Sequence, residues 1–431
     1  MVRLSFILRD PLKLKQAAAQ TVIVIYVALN LLSTQWWKDV PLGPPDIILG
    51  IFEAHKLDNN PNKIDLSVGA YRDNFGKPYV LPSVIKAEQN IVDKKLDKAV
   101  ANDIGSEFFR QVMFRLAVGD DLLDRPHVSV QSVSGSGSIK IAAETISQLY
   151  KGNKLIFIPN PSWAYHAPIF RLSGLKTEFY RYYDERNHEL DHSGMMTDLT
   201  HLPNNSIILF QMVGHNPTGA DPTPNQWREI SQILKDRNIL IFIDMAYQGF
   251  GTGCLSTDAF PLKHFIEEGH MVVFAQSFSK NMGLYSVRVG GVTFMIRNEE
   301  EGKSILEQLK HSALCMYGQP PIHGSQIVEE IFRCPELKNN WENEVKMMHK
   351  RISSMRQVLL DKLHQNGSSR DWSHLMKQKG MFFYSGLSVE QCEQLINEHS
   401  IYVVKNGRMS VCGINEHNVD YLAHCLHKVT K

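Results

Sequence analysis

Four short runs place the strongest constraint on how this chain folds: KLIFIP at 154–159, SIILFQM at 206–212, ILIFIDMAY at 239–247 and MVVFAQS at 271–277. Each is almost continuously apolar, rich in β-branched and aromatic residues, and followed by turn residues and then a segment of helical period. A strand that is apolar on both faces has to be covered on both. The runs therefore predict an α/β fold, a mostly parallel sheet between layers of helix. In such sheets ligands sit outside the carboxyl ends of the strands. That rule selects five turns: SGSGS (134–138), PSWAYH (161–166), HNPTG (215–219), DMAYQG (244–249) and SFSKNMG (277–283).

The chain is large enough for such a core. It has 431 residues, 43% of them apolar and 21% charged, which makes two domains a sensible expectation. Its formal net charge is +1 and no basic stretch is interleaved with aromatics, so a nucleic-acid partner is not expected and small-molecule ligands are. The cysteines, Cys254, Cys315, Cys334, Cys392, Cys412 and Cys425, lack CxxC spacing. That argues against a zinc site or a disulfide framework, and for a reducing compartment.

The first 38 residues differ from the rest. They hold one acid, Asp10, against Arg3, Arg9, Lys13, Lys15 and Lys38, and carry the apolar run AAAQTVIVIYVALNLL at 17–32. A basic, acid-poor leader suits a mitochondrial transit peptide, taken here as residues 1–35, with a cytoplasmic location as the alternative. A positive region before a short apolar core also suits a secretory signal or an uncleaved anchor. The run contains Gln20 and Asn30 and falls short of the roughly 20 apolar residues that span a bilayer, so stable membrane insertion is not expected.

Each of the five turns has an ordinary structural explanation when taken alone. SGSGS is a common kind of turn, and its alternative is a set of N–H groups opening a helix that begins near Ile139, where the positive end of the dipole favours an anion. Asp244 suits a helix cap, Trp163 suits packing, and Lys280 suits a solvated surface charge. Together they are harder to set aside. An anion cradle, an aromatic plate, a hydrogen-bonding Asn216, a carboxylate with Tyr247 three residues on, and Lys280 between two serines with Arg288 eight further on would share one sheet edge. Pyridoxal phosphate needs that combination: a lysine for its aldehyde, a carboxylate for its ring nitrogen, and donors with an arginine for its phosphate.

From Trp36 to the C-terminus the chain resembles the aspartate aminotransferases, members of the class I pyridoxal-phosphate-dependent family, and above all their mitochondrial form. The stretches that carry the likeness are WWKDVPLGPPD, VGAYRDNFGKPYVLPSV, HNPTGADPTPNQW, DMAYQGF, SKNMGLY and YLAHCLHKVTK. The resemblance implies the type I fold of pyridoxal-phosphate-dependent transferases. Its large domain, 78–347, has a seven-stranded sheet, and its small domain comes from both chain ends, 46–77 and 348–431. It also implies a homodimer that moves the amino group of L-aspartate to 2-oxoglutarate, giving oxaloacetate and L-glutamate, by ping-pong kinetics through pyridoxamine phosphate.

Carried over residue by residue, Lys280 would hold the cofactor and Asp244 would face the ring nitrogen. Asn216 and Tyr247 would bond the ring oxygen, and Trp163 would stack on the ring. Gly135, Ser136, Ser277, Ser279 and Arg288 would bind the phosphate. Arg408 would clamp the substrate's α-carboxylate, with Gly69, Tyr71 and Phe382 lining the pocket beside Trp163 and Asn216. Lys280, Tyr247 and Asp244 would be catalytic, and no metal is called for.

Two departures stand against this. The family's arginine for the side-chain carboxylate, lent by the neighbouring subunit from a stretch ending SNPP, is replaced by Leu314 in ALCMYGQPP, with Gly318 and Gln319 for the Ser-Asn pair. Val100, in AVANDIG, stands where the family reads EYLPIGG and sends a tyrosine to the phosphate across the dimer. Smaller changes are Gln211 for a histidine behind the ring, Tyr165 for an asparagine, and Ser286 with Val287 before Arg288. Three readings follow. One is an aminotransferase weak on aspartate and better on neutral or aromatic amino acids. Another is a dimeric paralogue with little activity and a binding or regulatory role. The third is different pyridoxal chemistry at Cα.

Overall fold

The computed structural model describes residues 11–32, 36–43, 46–99 and 101–431. They divide into two compact units, one up to Asp46 and one from Ile47 to Lys431. In the first, the helix Pro11–Leu32 takes up the apolar run of the leader. No described helix is long and apolar enough to cross a membrane. Residues 1–10 and 33–35 of the expected transit peptide lie outside the described residues.

The second unit is built on a seven-stranded sheet. Its strands are β1 (His127–Ser132), β2 (Leu155–Asn160), β3 (Lys176–Arg181), β4 (Ile207–Gln211), β5 (Leu240–Met245), β6 (Val272–Ser277) and β7 (Gly290–Met295), in the order β1-β7-β6-β5-β4-β2-β3. Only β7 runs against the others, pairing antiparallel with β1 and β6. Alternation along β4 sends Ile208 and Phe210 to one face, with Trp227 and Phe265, and Ile207 and Leu209 to the other, with Ile139 and Phe170. Both faces are thus closed by helices, which is why the strands read as unbroken apolar runs.

A further core gathers the long helix Pro335–Gln365 and both chain ends. Ile64–Asp65 pairs in parallel with Ile401–Tyr402, and Phe382–Tyr384 pairs antiparallel with Arg408–Ser410. Ser410 N donates to Leu66 O at 2.7 Å. These pairings carry Gly69, Phe382 and Arg408, from the two ends of the sequence, to one place. Arg356 of the long helix is buried and donates to the carbonyls of Leu375, Gly380 and Phe382, fixing the strand that bears Phe382.

Candidate active site

The carboxyl ends of β4, β5 and β6 face a cavity of about 140 Å³. All ten residues expected to hold the cofactor line it: Gly135, Ser136, Trp163, Asn216, Asp244, Tyr247, Ser277, Ser279, Lys280 and Arg288. The strand register explains part of the convergence, since Gln211 of β4 pairs with Asp244 of β5, and Asp244 with Ala275 of β6.

The chain turns after β6 so that Lys280 points back over the strand ends. Its Nζ donates to Gly69 O at 2.9 Å and lies 4.6 Å from the centre of the Tyr285 ring. Neither partner carries a negative charge. Burial, with Arg408 and Arg288 adding to it, brings the amine from its ordinary 10.5 down to about 8. A lysine in that range is a competent nucleophile and base.

Asp244 is 7% exposed, and His166 is fully buried behind it with Nε2 at 3.1 Å from Asp244 Oδ2. On its other side the ring is held by the Ser162 hydroxyl, 2.8 Å from Nδ1. This chain of bonds fixes the carboxylate's direction. Trp163 packs edge-on against His166, with ring centres 5.1 Å apart, and reaches the cavity from the side.

Asn216 is the junction of the other half. Its Nδ2 donates to the Tyr247 hydroxyl at 3.4 Å, and its Oδ1 accepts from Arg408 Nη1 at 3.2 Å. Burial raises the Tyr247 phenol, so the hydroxyl keeps its proton. Arg408 is 5% exposed, and burial lowers its guanidinium to about 10. Nη2 donates to Ser67 O at 2.6 Å, the guanidinium lies over Phe382 at 4.3 Å, and Nε has no partner among the described residues. A buried cation held by carbonyl and amide oxygens, with a donor to spare, is set up to receive a carboxylate. Gly69 lets Phe382 close in, because a Cβ there would stand 2.6 Å from Phe382 Cζ. Tyr71 N donates to the Tyr285 hydroxyl at 2.8 Å on the same side.

The anion cradle differs from expectation in one respect. The helix begins at Ser134, not near Ile139, so SGSGS forms its first turn rather than a loop before it. Ser134 enters it with φ +65°, a conformation disfavoured for a side chain, and Arg288 has φ +60°. The turn starts early because the Ser134 hydroxyl bonds the Ser277 and Ser279 hydroxyls at 3.0 and 2.8 Å, tying the helix start to the turn after β6. Arg288 Nη1 donates to Tyr285 O at 2.9 Å and reaches the Ser279 hydroxyl at 3.5 Å. Free N–H groups, hydroxyls and a guanidinium suit a phosphate, so the residues present fit pyridoxal phosphate in lysine, carboxylate and anion site alike.

Leu314 lies elsewhere, on the helix Glu299–Tyr317, and is 48% exposed. Gly318, with φ +72°, ends that helix. Val100 lies outside the described residues. The next residue, Ala101, donates its N–H to Gln319 Oε1 at 3.2 Å, so the two departing stretches meet.

The description "Aminotransferase class I and II" matches the chain over residues 61–426. Mitochondrial aspartate aminotransferase of Gallus gallus is 46% identical over 402 residues, 93% of this chain and 95% of that one. The chain belongs to the class I and II aminotransferases. This aminotransferase superposes with a TM-score of 0.89 on the aromatic-amino-acid aminotransferase of Burkholderia pseudomallei, solved covalently bound to pyridoxal phosphate, at 34% identity over 92% of this chain and 99% of that one. Aspartate aminotransferase from Saccharomyces cerevisiae cytoplasm gives the same TM-score, identity and coverage.

Two residues of the aminotransferase site escaped the sequence. His166 closes PSWAYH, one turn after Ser162, and Ser134 opens SGSGS. Both sit in stretches picked out by the strand-end rule, but nothing in the local pattern distinguishes them from their neighbours.

Proposed function

We propose that this chain is a pyridoxal-phosphate-dependent transaminase in which Lys280 carries the cofactor and Arg408 takes the α-carboxylate of a neutral or aromatic amino acid in preference to aspartate. The observation that carries the reading is the one cavity that Lys280 shares with Asp244, Arg288 and the serine cradle, where burial lowers the lysine amine.

Bound pyridoxal phosphate supplies an electron sink for the bonds at the amino acid's Cα. The chain does the rest. Gly135, Ser136, Ser277, Ser279 and Arg288 would hold the phosphate, Asp244 backed by His166 would face the ring nitrogen, Asn216 and Tyr247 would face the ring oxygen, and Trp163 would cover the ring. Once the substrate's own amine has taken its place on the cofactor, Lys280 Nζ would take the proton from the substrate's Cα and deliver it to the cofactor's aldehyde carbon, which requires the neutral amine. Arg408 orients the substrate through two parallel charge-assisted bonds to its carboxylate, between Gly69, Tyr71 and Phe382.

Leu314 sets the preference. In the homodimer that belongs to this reading, Leu314 would stand where the family's arginine reaches the partner's substrate, and would offer a second carboxylate no charge. Half of a desolvated pair left alone costs several kcal/mol, or orders of magnitude in rate. A small lobe from 46–77 and 348–431 against a large one from 78–347 is also part of the reading, supported by the pairing of Ile64 with Ile401. A mitochondrial matrix location is supported by the relatives named mitochondrial and by the acid-poor leader; import of the full chain into isolated mitochondria, or its retention in the cytoplasm, decides it.

The test is a panel of amino donors with 2-oxoglutarate on cofactor-loaded protein. Transfer from phenylalanine or alanine above that from aspartate supports the reading. No transfer from any donor favours the binding paralogue.

A further inference from the structure

Gln211 ends β4 and is 3% exposed. Its side-chain amide makes two hydrogen bonds to the main chain of one residue: Asn216 N donates to Gln211 Oε1 at 2.9 Å, and Gln211 Nε2 donates to Asn216 O at 3.0 Å. The amide closes a ring on the turn between β4 and Pro217. Space filling alone would need the volume and not this pairing. The residue held in this way is the junction of the substrate side, since Asn216 meets Arg408 through Oδ1 and Tyr247 through Nδ2. The same strand end is fixed to β5, where Met212 N donates to Asp244 O at 3.0 Å.

We propose that Gln211 is a positioning residue for carboxylate recognition. It locks the Asn216 backbone, and Asn216 Oδ1 then holds the Arg408 guanidinium at the angle that grips a carboxylate. This rests on the reading of Arg408 given above. An amide carries no titratable proton, so Gln211 itself neither gains nor loses a charge as pH changes. The titratable and charged groups around it are His215 and Asp221 of the turn itself, with Asp221 accepting from Gly214 N and His215 N, Asp244 and Tyr247 from β5 and its turn, His166 behind Asp244, Lys280 and Arg288 after β6, and Arg408 across from Asn216.

Two variants test the clamp. Gln211→Leu keeps the size and removes both bonds. Gln211→Glu keeps the bond from Asn216 N, and gives a bond to Asn216 O only while its carboxyl is protonated. The probe is 3-phenylpropanoate, a carboxylate without an amino group to react, titrated by calorimetry into cofactor-loaded protein. We expect Gln211→Leu to bind it about tenfold more weakly than wild type. For Gln211→Glu, affinity relative to wild type falls as pH rises through the titration of the new carboxyl, because the carboxylate then opposes the Asn216 carbonyl. That pH trend needs only wild type and the folded glutamate variant, so it decides the matter even if the leucine variant does not fold. A flat ratio, or wild-type affinity in both variants, overturns the clamp alone. A wild type that binds no probe, or binds it equally well as Arg408→Leu, overturns the reading of Arg408 and the clamp with it.

Discussion

Lys280 Nζ donates a 2.9 Å hydrogen bond to the carbonyl of Gly69, 211 residues earlier in the chain. The bond satisfies one donor but leaves the charge uncompensated, and burial first, then Arg408 and Arg288, lowers the amine from 10.5 to about 8. The folded chain therefore holds this proton less tightly than the unfolded chain. Between those two values the unfolded state binds more protons, so stability rises with pH across that window. Below it the penalty is fully present, and above it the penalty is gone. Lys280→Met should stabilise the cofactor-free protein at neutral pH by roughly 3 kcal/mol, with the advantage shrinking as pH rises past about 8. Denaturant unfolding of both proteins at several pH values checks this. A gap independent of pH contradicts it.

Arg408 offers a second prediction. Its guanidinium is the buried cation nearest Asn216, and each charge-assisted bond to a carboxylate is worth about 1.5–3 kcal/mol, or roughly tenfold to a hundredfold in affinity. Arg408→Leu should raise KM for every amino acid substrate by at least that factor, with a smaller change in kcat. Arg408→Lys should recover only part of it, since an ammonium cannot pair bidentately. Steady-state kinetics on the best donor of the panel decide the point, and an unchanged KM would remove Arg408 from the substrate site.

The third prediction concerns Leu314, half exposed at the last turn of its helix. Leu314→Arg should raise kcat/KM for aspartate by on the order of a hundredfold while leaving phenylalanine unchanged or weaker. The ratio of the two constants in variant and wild type is the measurement. A wild type that already prefers aspartate strongly would show that another cation serves the distal carboxylate.

The apolar runs revealed β2, β4, β5 and β6, because a strand buried on both faces has no room for polar alternation. The other strands hide for physical reasons. β3 is an edge strand with mostly exposed side chains, so KTEFYR has no apolar signature. β7 opens on Gly290 and Gly291, where a Cβ would stand 2.3 Å from Gln276 O and 2.6 Å from Val130 O, and close backbone approach there removes the side chains that mark a strand. At the site, the strand-end rule and the motifs together supplied the lining of the cavity. What they left out acts through tertiary contact: His166 matters because it stands behind Asp244, and Ser134 because it bonds two serines some 140 residues away, while Gln211, visible in sequence as a departure, shows what it does only where its amide faces the backbone of Asn216. Glycine and serine disfavour helix interiors, so SGSGS reads as lying before its helix, while the serine triad that starts the helix at Ser134 is invisible in sequence.

The claim on which the rest depends is that Lys280 carries the cofactor. Borohydride reduction of the pyridoxal-phosphate-loaded protein, followed by digestion and mass mapping of every lysine, tests it most directly. Loss of the visible absorption and a stable phosphopyridoxyl group on Lys280 alone, in the peptide containing SFSKNMG, is the expected result. Label on another lysine, or none on Lys280 after full loading, would contradict it.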